Sequence, residues 1–319
     1  MKNLIGYSKN KIIINALFRS YFLLAYKNYK KRFMSIKKLA LFIFLFSVFA
    51  CSSPYRAWQK QVNQKVKSHL AEKPSLPTPP NTVWIIDNLF MDKTEVVNLS
   101  YLEYLHYMGE DSSYQYYQNQ IPTNGVWMDK EVPFLDSVKL SLSLGYLEYE
   151  GYRFLPVVGV SHQQAKNYCK WRSEIATQNF VSTREKKYRF EYRLPTEKEW
   201  EKSALSFIDT LNQENLKYGF DTSIISPSIF NLSQVLNKKR GDSTQIPPTA
   251  YAYAEPTTLL GLHHTIGNVA EMIEEEGIAK GGSWIHVPLQ STINERIRYR
   301  YPTSWLGFRC ICEVKEIEN

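Results

Sequence analysis

The chain is short of cysteine. Its 319 residues contain four, Cys51, Cys169, Cys310 and Cys312, and none lies between Cys169 and Cys310. Any chemistry needing paired thiolates in that interval is therefore excluded. The first 50 residues lack acid altogether: they carry ten Lys or Arg and no Asp or Glu. Taking those ten from the 39 basic residues leaves 29 against 31 acidic ones, a net of −2, so the formal charge of +8 belongs to the amino end. The remainder offers no electrostatic footprint for DNA or RNA, and no nucleic-acid partner is expected. The apolar run Leu39–Ala50 is only twelve residues, short of the roughly 20 that cross a bilayer. No internal repeat is present.

What is there begins with targeting. Met34-Ser-Ile-Lys37-Lys38 precedes the apolar run, and Ser47-Val48-Phe49-Ala50-Cys51 ends it. A positive amino end, a short apolar core and a small residue before cysteine resemble a bacterial lipoprotein signal peptide, with Cys51 as the lipidated residue. An uncleaved anchor is the alternative, and both attach residues 52–319 to a membrane outside the cytoplasm. Residues 1–33 read as a gene-model extension ahead of Met34, the rival being an amphipathic or membrane helix over Ile12–Tyr29. With Cys51 lipidated, three cysteines remain, enough for one pair in an oxidising compartment.

Residues 51–82 read as a tether. Its stretch Lys73-Pro-Ser-Leu-Pro-Thr-Pro-Pro80 suits a stiff extended spacer. The globular domain is placed at 83–315. Ser161 with Gln164, and Thr196 with Glu199, are capping boxes that open two helices, one through Ile175 and one through Ala204. Asn98–Met108 is a third, with Tyr101, Leu102, Leu105 and Met108 inward. Elsewhere periodicity is weak, and 22 Tyr with 7 Trp suggest irregular backbone held by aromatics. Trp171, Trp200 and Trp284 read as core. Arg193 beside a helix start reads as an ion-pair partner. His263-His264 point apart as neighbours and do not make a metal pair. The class is α+β, loop-rich.

Several blocks carry a resemblance: Met91-Asp-Lys-Thr-Glu-Val-Val-Asn98; Pro156-Val-Val-Gly-Val-Ser161 with Tyr168-Cys-Lys-Trp171; Tyr192-Arg-Leu-Pro-Thr-Glu-Lys-Glu-Trp200; Gly267-Asn-Val-Ala-Glu271; Lys280-Gly-Gly-Ser-Trp284 with Leu306-Gly-Phe-Arg-Cys310. In this order they resemble the formylglycine-generating enzyme family, the sulfatase-modifying factor domain, over about Trp84–Val314. The resemblance implies a C-type-lectin-related fold. Catalytic relatives are copper-dependent oxidases that turn a sulfatase cysteine into formylglycine, holding Cu(I) between two thiolates just past Gly-Gly-Ser-Trp. Here those positions carry His286 and Ser291 or Thr292. No copper is expected, and the family cleft at Ser283, Trp284 and His286 is expected to have lost that chemistry.

The resemblance also implies candidate calcium sites through hard oxygens. One would use Gly267, Val269 and Glu271, the other Asn231, Leu232 and Asp242; turn capping is the alternative for Glu271 and Asp242. Cys169 and Cys310 match positions that resemble a disulfide pair in some relatives, with two buried thiols as the alternative. Cys312, two residues on, is expected to face away from that pair.

Two functions follow. A lipid anchor, a tether and a family domain without the cysteine pair resemble the non-catalytic lipoproteins of gliding-motility and type IX secretion machinery. That implies a scaffold or binding role with a cell-envelope protein partner at the outer membrane. The rival is an oxidase acting on sulfatases or another substrate.

Overall fold

The computed structural model describes residues 66–180, 187–205, 248–254, 258 and 260–317, with Lys60, Asn63 and Gln64. The chain divides into two compact units, Met1–Gln64 and Lys65–Asn319. In the first, the three described residues are helical and exposed. Cys51 and the segment read as a signal peptide lie outside the described residues. Among the described residues no helix is long and apolar enough to cross a membrane.

In the second unit the elements run β1 (Thr82–Ile86), β2 (Leu89–Asp92), α1 (Asn98–Asp111), α2 (Tyr114–Gln118), α3 (Asp136–Gly145), α4 (His162–Phe180), β3 (Lys187–Arg193), α5 (Glu197–Leu205), β4 (Ala270–Met272), β5 (Ile278–Lys280), β6 (Ile297–Arg298), β7 (Leu306–Gly307) and β8 (Ile311–Ile317). One sheet has the order β1-β2-β8-β3 and is antiparallel throughout. The other has the order β6-β5-β4-β7, with β4 and β7 parallel. Strands of two to seven residues and long connections confirm the α+β, loop-rich reading.

Both capping boxes form. Ser161 N–H donates to Gln164 Oε1 at 2.7 Å, and Gln164 N–H to Ser161 Oγ at 3.2 Å. Thr196 N–H donates to Glu199 Oε2 at 2.8 Å, and Glu199 N–H to Thr196 Oγ1 at 3.3 Å. Each box satisfies amide donors that a helix start leaves open. In α1 the buried face is Asn98, Tyr101, Tyr104 and Leu105, so Tyr104 takes the place expected for Leu102. The cause is polar: Tyr101 Oη donates to the Gln120 carbonyl and Tyr104 Oη to Gln120 Oε1, both at 2.9 Å. A buried phenol needs such a partner.

The Pro-rich stretch has neither helix nor strand and turns tightly at Ser75, where Leu76 N–H donates to the Pro74 carbonyl at 2.7 Å, and Pro77 and Pro79 are buried. Thr82 Oγ1 donates to the Pro79 carbonyl at 2.7 Å, and Lys73 stands 5.5 Å from the Phe90 ring.

The cysteine expectation is corrected in one respect. Cys310, Cys312 and Val314 all enter the same core, while Ile311 enters a different one. Side chains two apart share a face of a strand, so Cys312 points with Cys310, not away from it.

Candidate functional site

β5 runs into Gly281-Gly282-Ser283-Trp284, and both glycines have positive φ, +87° and +74°. A Cβ on Gly281 would stand 2.7 Å from the Thr265 carbonyl oxygen, and one on Gly282 would overlap the Ser291 side chain. Only glycine fits both the conformation and the space. The turn that follows places Ser283 and His286 together: Ser283 Oγ and His286 Nδ1 are 2.6 Å apart, and His286 N–H donates to the Ser283 carbonyl at 2.9 Å. Burial pushes the His286 imidazole down to about 4, so it is neutral at pH 7. Its ring meets Trp305 edge to face at 4.9 Å.

Trp284 is core, as expected. It is 1% exposed, stacks on Trp127 and Phe134, and donates from Nε1 to the Ser304 carbonyl at 3.1 Å. Ser291 is fully buried, and its Oγ donates to the Val287 carbonyl at 3.0 Å. The positions that the resemblance assigns to copper thiolates thus hold one imidazole and one hydroxyl, each already in a hydrogen bond. That donor set does not fit a monovalent copper ion, which prefers soft sulfur.

The remaining cysteines stand elsewhere. Cys169 of α4 and Cys310 have their sulfurs 3.3 Å apart in the core, as two thiols. Burial pushes the Cys310 and Cys312 thiols up, which keeps them protonated and poor as nucleophiles or ligands. At 3.3 Å the two sulfurs are in contact and not bonded, since a disulfide holds them about 2.05 Å apart.

Of the candidate calcium ligands Gly267, Val269 and Glu271, the carboxylate is already paired within the chain. Glu271 on β4 is 1% exposed, and its carboxylate accepts from Arg309 Nη2 at 2.5 Å, Arg309 Nε at 2.7 Å and Trp200 Nε1 at 2.7 Å. An arginine fork holds the charge that calcium would need. The Val269 side chain is buried, and the turn is closed by Gly267 N–H on the Gly281 carbonyl and Trp284 N–H on the Asn268 carbonyl. Asn231, Leu232 and Asp242 lie outside the described residues. Among the described residues no group of three or more His, Cys, Asp or Glu side chains could hold a metal ion.

His263 and His264 take separate backbone partners. His263 Nδ1 lies 3.0 Å from the Ala254 carbonyl and His264 Nε2 lies 3.2 Å from the Tyr251 carbonyl. Arg193 pairs with Glu199 through two contacts of 2.7 Å, as expected for a structural ion pair. One buried carboxyl had no role in the sequence reading. Glu95 is 1% exposed, accepts from Asn268 Nδ2 at 3.0 Å through Oε1, and has no partner for Oε2. Its signal was only its place in the block Met91–Asn98; nothing local announces that it is buried.

Sulfatase-modifying factor enzyme 1-like domains match residues 58–314 of the chain. The chain belongs to this family. The match begins inside the stretch read as a tether. Among solved structures, CarF is similar with a TM-score of 0.46 at 17% identity, over 76% of this chain and 95% of that one. Treponema denticola variable protein 1 gives 0.39 at 16%, over 75% and 93%, and PvdO from Pseudomonas aeruginosa 0.31 at 18%, over 50% and 63%. No curated protein matches the chain.

Proposed function

We propose that this sulfatase-modifying factor domain is a non-catalytic member of its family, exported and lipid-anchored through Cys51. It serves as a binding or scaffold component of a cell-envelope complex of the gliding-motility or type IX secretion kind, at the outer membrane. The observation that carries the loss of oxidase chemistry is the Ser283–His286 hydrogen bond together with the buried Ser291 hydroxyl, where the family chemistry requires paired sulfur. A lone neutral imidazole bonded to a serine cannot accept a substrate thiol into a linear copper complex. The anchor is supported by the positive amino end, the apolar run and Cys51.

The test has two arms. The full-length chain is incubated with copper, oxygen and a sulfatase-motif cysteine peptide, and aldehyde is sought by mass spectrometry. None is expected, and stoichiometric aldehyde overturns the reading. The wild type is expected to take up labelled fatty acid and the Cys51→Ala variant none; a wild type that takes up none and keeps its amino-terminal segment argues for the uncleaved anchor instead.

A further inference from the structure

Charge is unevenly placed on the domain. Residues 98–152, which hold α1, α2 and α3, carry eight acidic and two basic side chains, a net of −6, while residues 51–319 as a whole carry −2. One of the two basic groups is turned inward: Lys139 is 7% exposed, and its Nζ donates to the Asp129 carbonyl at 2.9 Å. The same stretch holds eight of the fourteen large hydrophobics that are exposed among the described residues. Leu140 and Leu144 of α3, 53% and 74% exposed, stand one turn apart on the face that begins at Asp136. Past the end of that helix, Leu147 and Glu148 form one wall of a trough of about 330 Å3, inside the ~300–1,000 Å3 range of ligand sites. The other wall is α1 from Leu102 to Glu110, and Tyr117 and Ile121 also line it. Leu102, Tyr117, Ile121 and Leu147 are all partly exposed, so their apolar surface meets whatever enters. Glu110 and Glu148 are exposed at the trough, and no lysine or arginine lines it. Among the described residues Glu110 pairs only with His106, at 3.5 Å.

We propose that this trough and the Leu140–Leu144 stripe dock a basic amphipathic helix of a protein partner, its apolar side chains inward and its lysines or arginines along the edges. Charge complementarity selects that occupant. An acidic rim repels anionic lipid headgroups, nucleic acid and acidic peptides, and like-charge contacts of that kind are how wrong partners are refused. The exposed leucines call for an apolar face as well, since contiguous apolar surface beside charge marks a protein contact. Length favours a helix. From Leu102 to Glu110 the α1 wall is about 12 Å long at 1.5 Å per residue. A partner helix covers those two turns with side chains at i, i+4 and i+7, the spacing by which an amphipathic helix lies in a groove. The inference holds whether or not the domain is catalytic, and it does not use the anchor.

The experiment uses the full-length chain in phosphatidylcholine nanodiscs, with empty discs as the baseline. The probe is a fluorescent amphipathic helix of leucine and lysine, read by anisotropy. Its controls are a scrambled isomer with no apolar face and a version with glutamate in place of lysine. Saturable binding of the probe is expected, about tenfold tighter than of either control. Glu110→Lys with Glu148→Lys, both on the exposed rim, should weaken it by about tenfold and tighten the glutamate version. Leu140→Ser with Leu144→Ser, equally exposed, should weaken it severalfold and leave the preference for lysine over glutamate unchanged. Each of three results overturns the proposal: no saturable binding, equal binding of the scrambled isomer, or binding indifferent to both pairs of variants.

Discussion

Replacing Glu95 by glutamine should flatten the alkaline side of the stability profile. The wild-type carboxyl is enclosed near the Glu271–Arg309 pair, with Asn268 on one oxygen and nothing on the other. Burial, opposed by Arg309 and reinforced by Glu271, pushes it up from 4.5 to about 8. One arginine and one carboxylate already balance, and a second buried charge has no counterion. Because the folded-state value is the higher one, folding takes up a proton. The contribution is fully present below about 4.5 and is lost as pH rises through about 8. At about 1.4 kcal/mol per pH unit, the window spans up to about 5 kcal/mol. Glutamine can keep the bond from Asn268 and cannot ionise. The buried imidazoles of His264 and His286, pushed down to about 4, act oppositely: their contribution is lost as pH falls from about 6.5 towards 4. The informative quantity is therefore the difference between wild type and Glu95→Gln in urea unfolding from pH 5 to 9. The two should nearly coincide at pH 5, and the variant should lead by several kcal/mol at pH 9. Parallel curves would refute the argument that this carboxyl is held neutral.

Two further outcomes are expected. Glu271→Gln strands the Arg309 guanidinium, which is 0% exposed, and should destabilise the domain by about 3–5 kcal/mol in denaturant titration; a loss under 1 kcal/mol contradicts the pairing. With the Cys169 and Cys310 sulfurs 3.3 Å apart, chain exported into an oxidising compartment should lose two titratable thiols. Closing that loop of about 140 residues should stabilise it by roughly 3–5 kcal/mol. Three free thiols and no change on reduction point to a reduced core.

The sequence carried best what is local. Ser161 with Gln164 and Thr196 with Glu199 each fix their structure within a few residues, so spacing alone revealed them. What depends on distant partners was not legible. Glu271 reads as an oxygen ligand until Arg309 folds against it from 38 residues away. Nothing local marks Lys280 as buried, yet its side chain is 0% exposed between Glu197 and Glu201, about 80 residues away. Tyr104 displaced Leu102 because Gln120 receives its hydroxyl. The strand error at Cys312 was one of geometry: period-two alternation puts it beside Cys310.

The most direct test of the central claim is an anaerobic Cu(I) titration of the full-length chain against a competing chelator, run alongside His286→Cys/Ser291→Cys. The account predicts no stoichiometric tight copper on the wild type and one ion on the double variant, whose new thiols stand at the positions where the family chemistry requires paired sulfur. One tightly held ion on the wild type would contradict it.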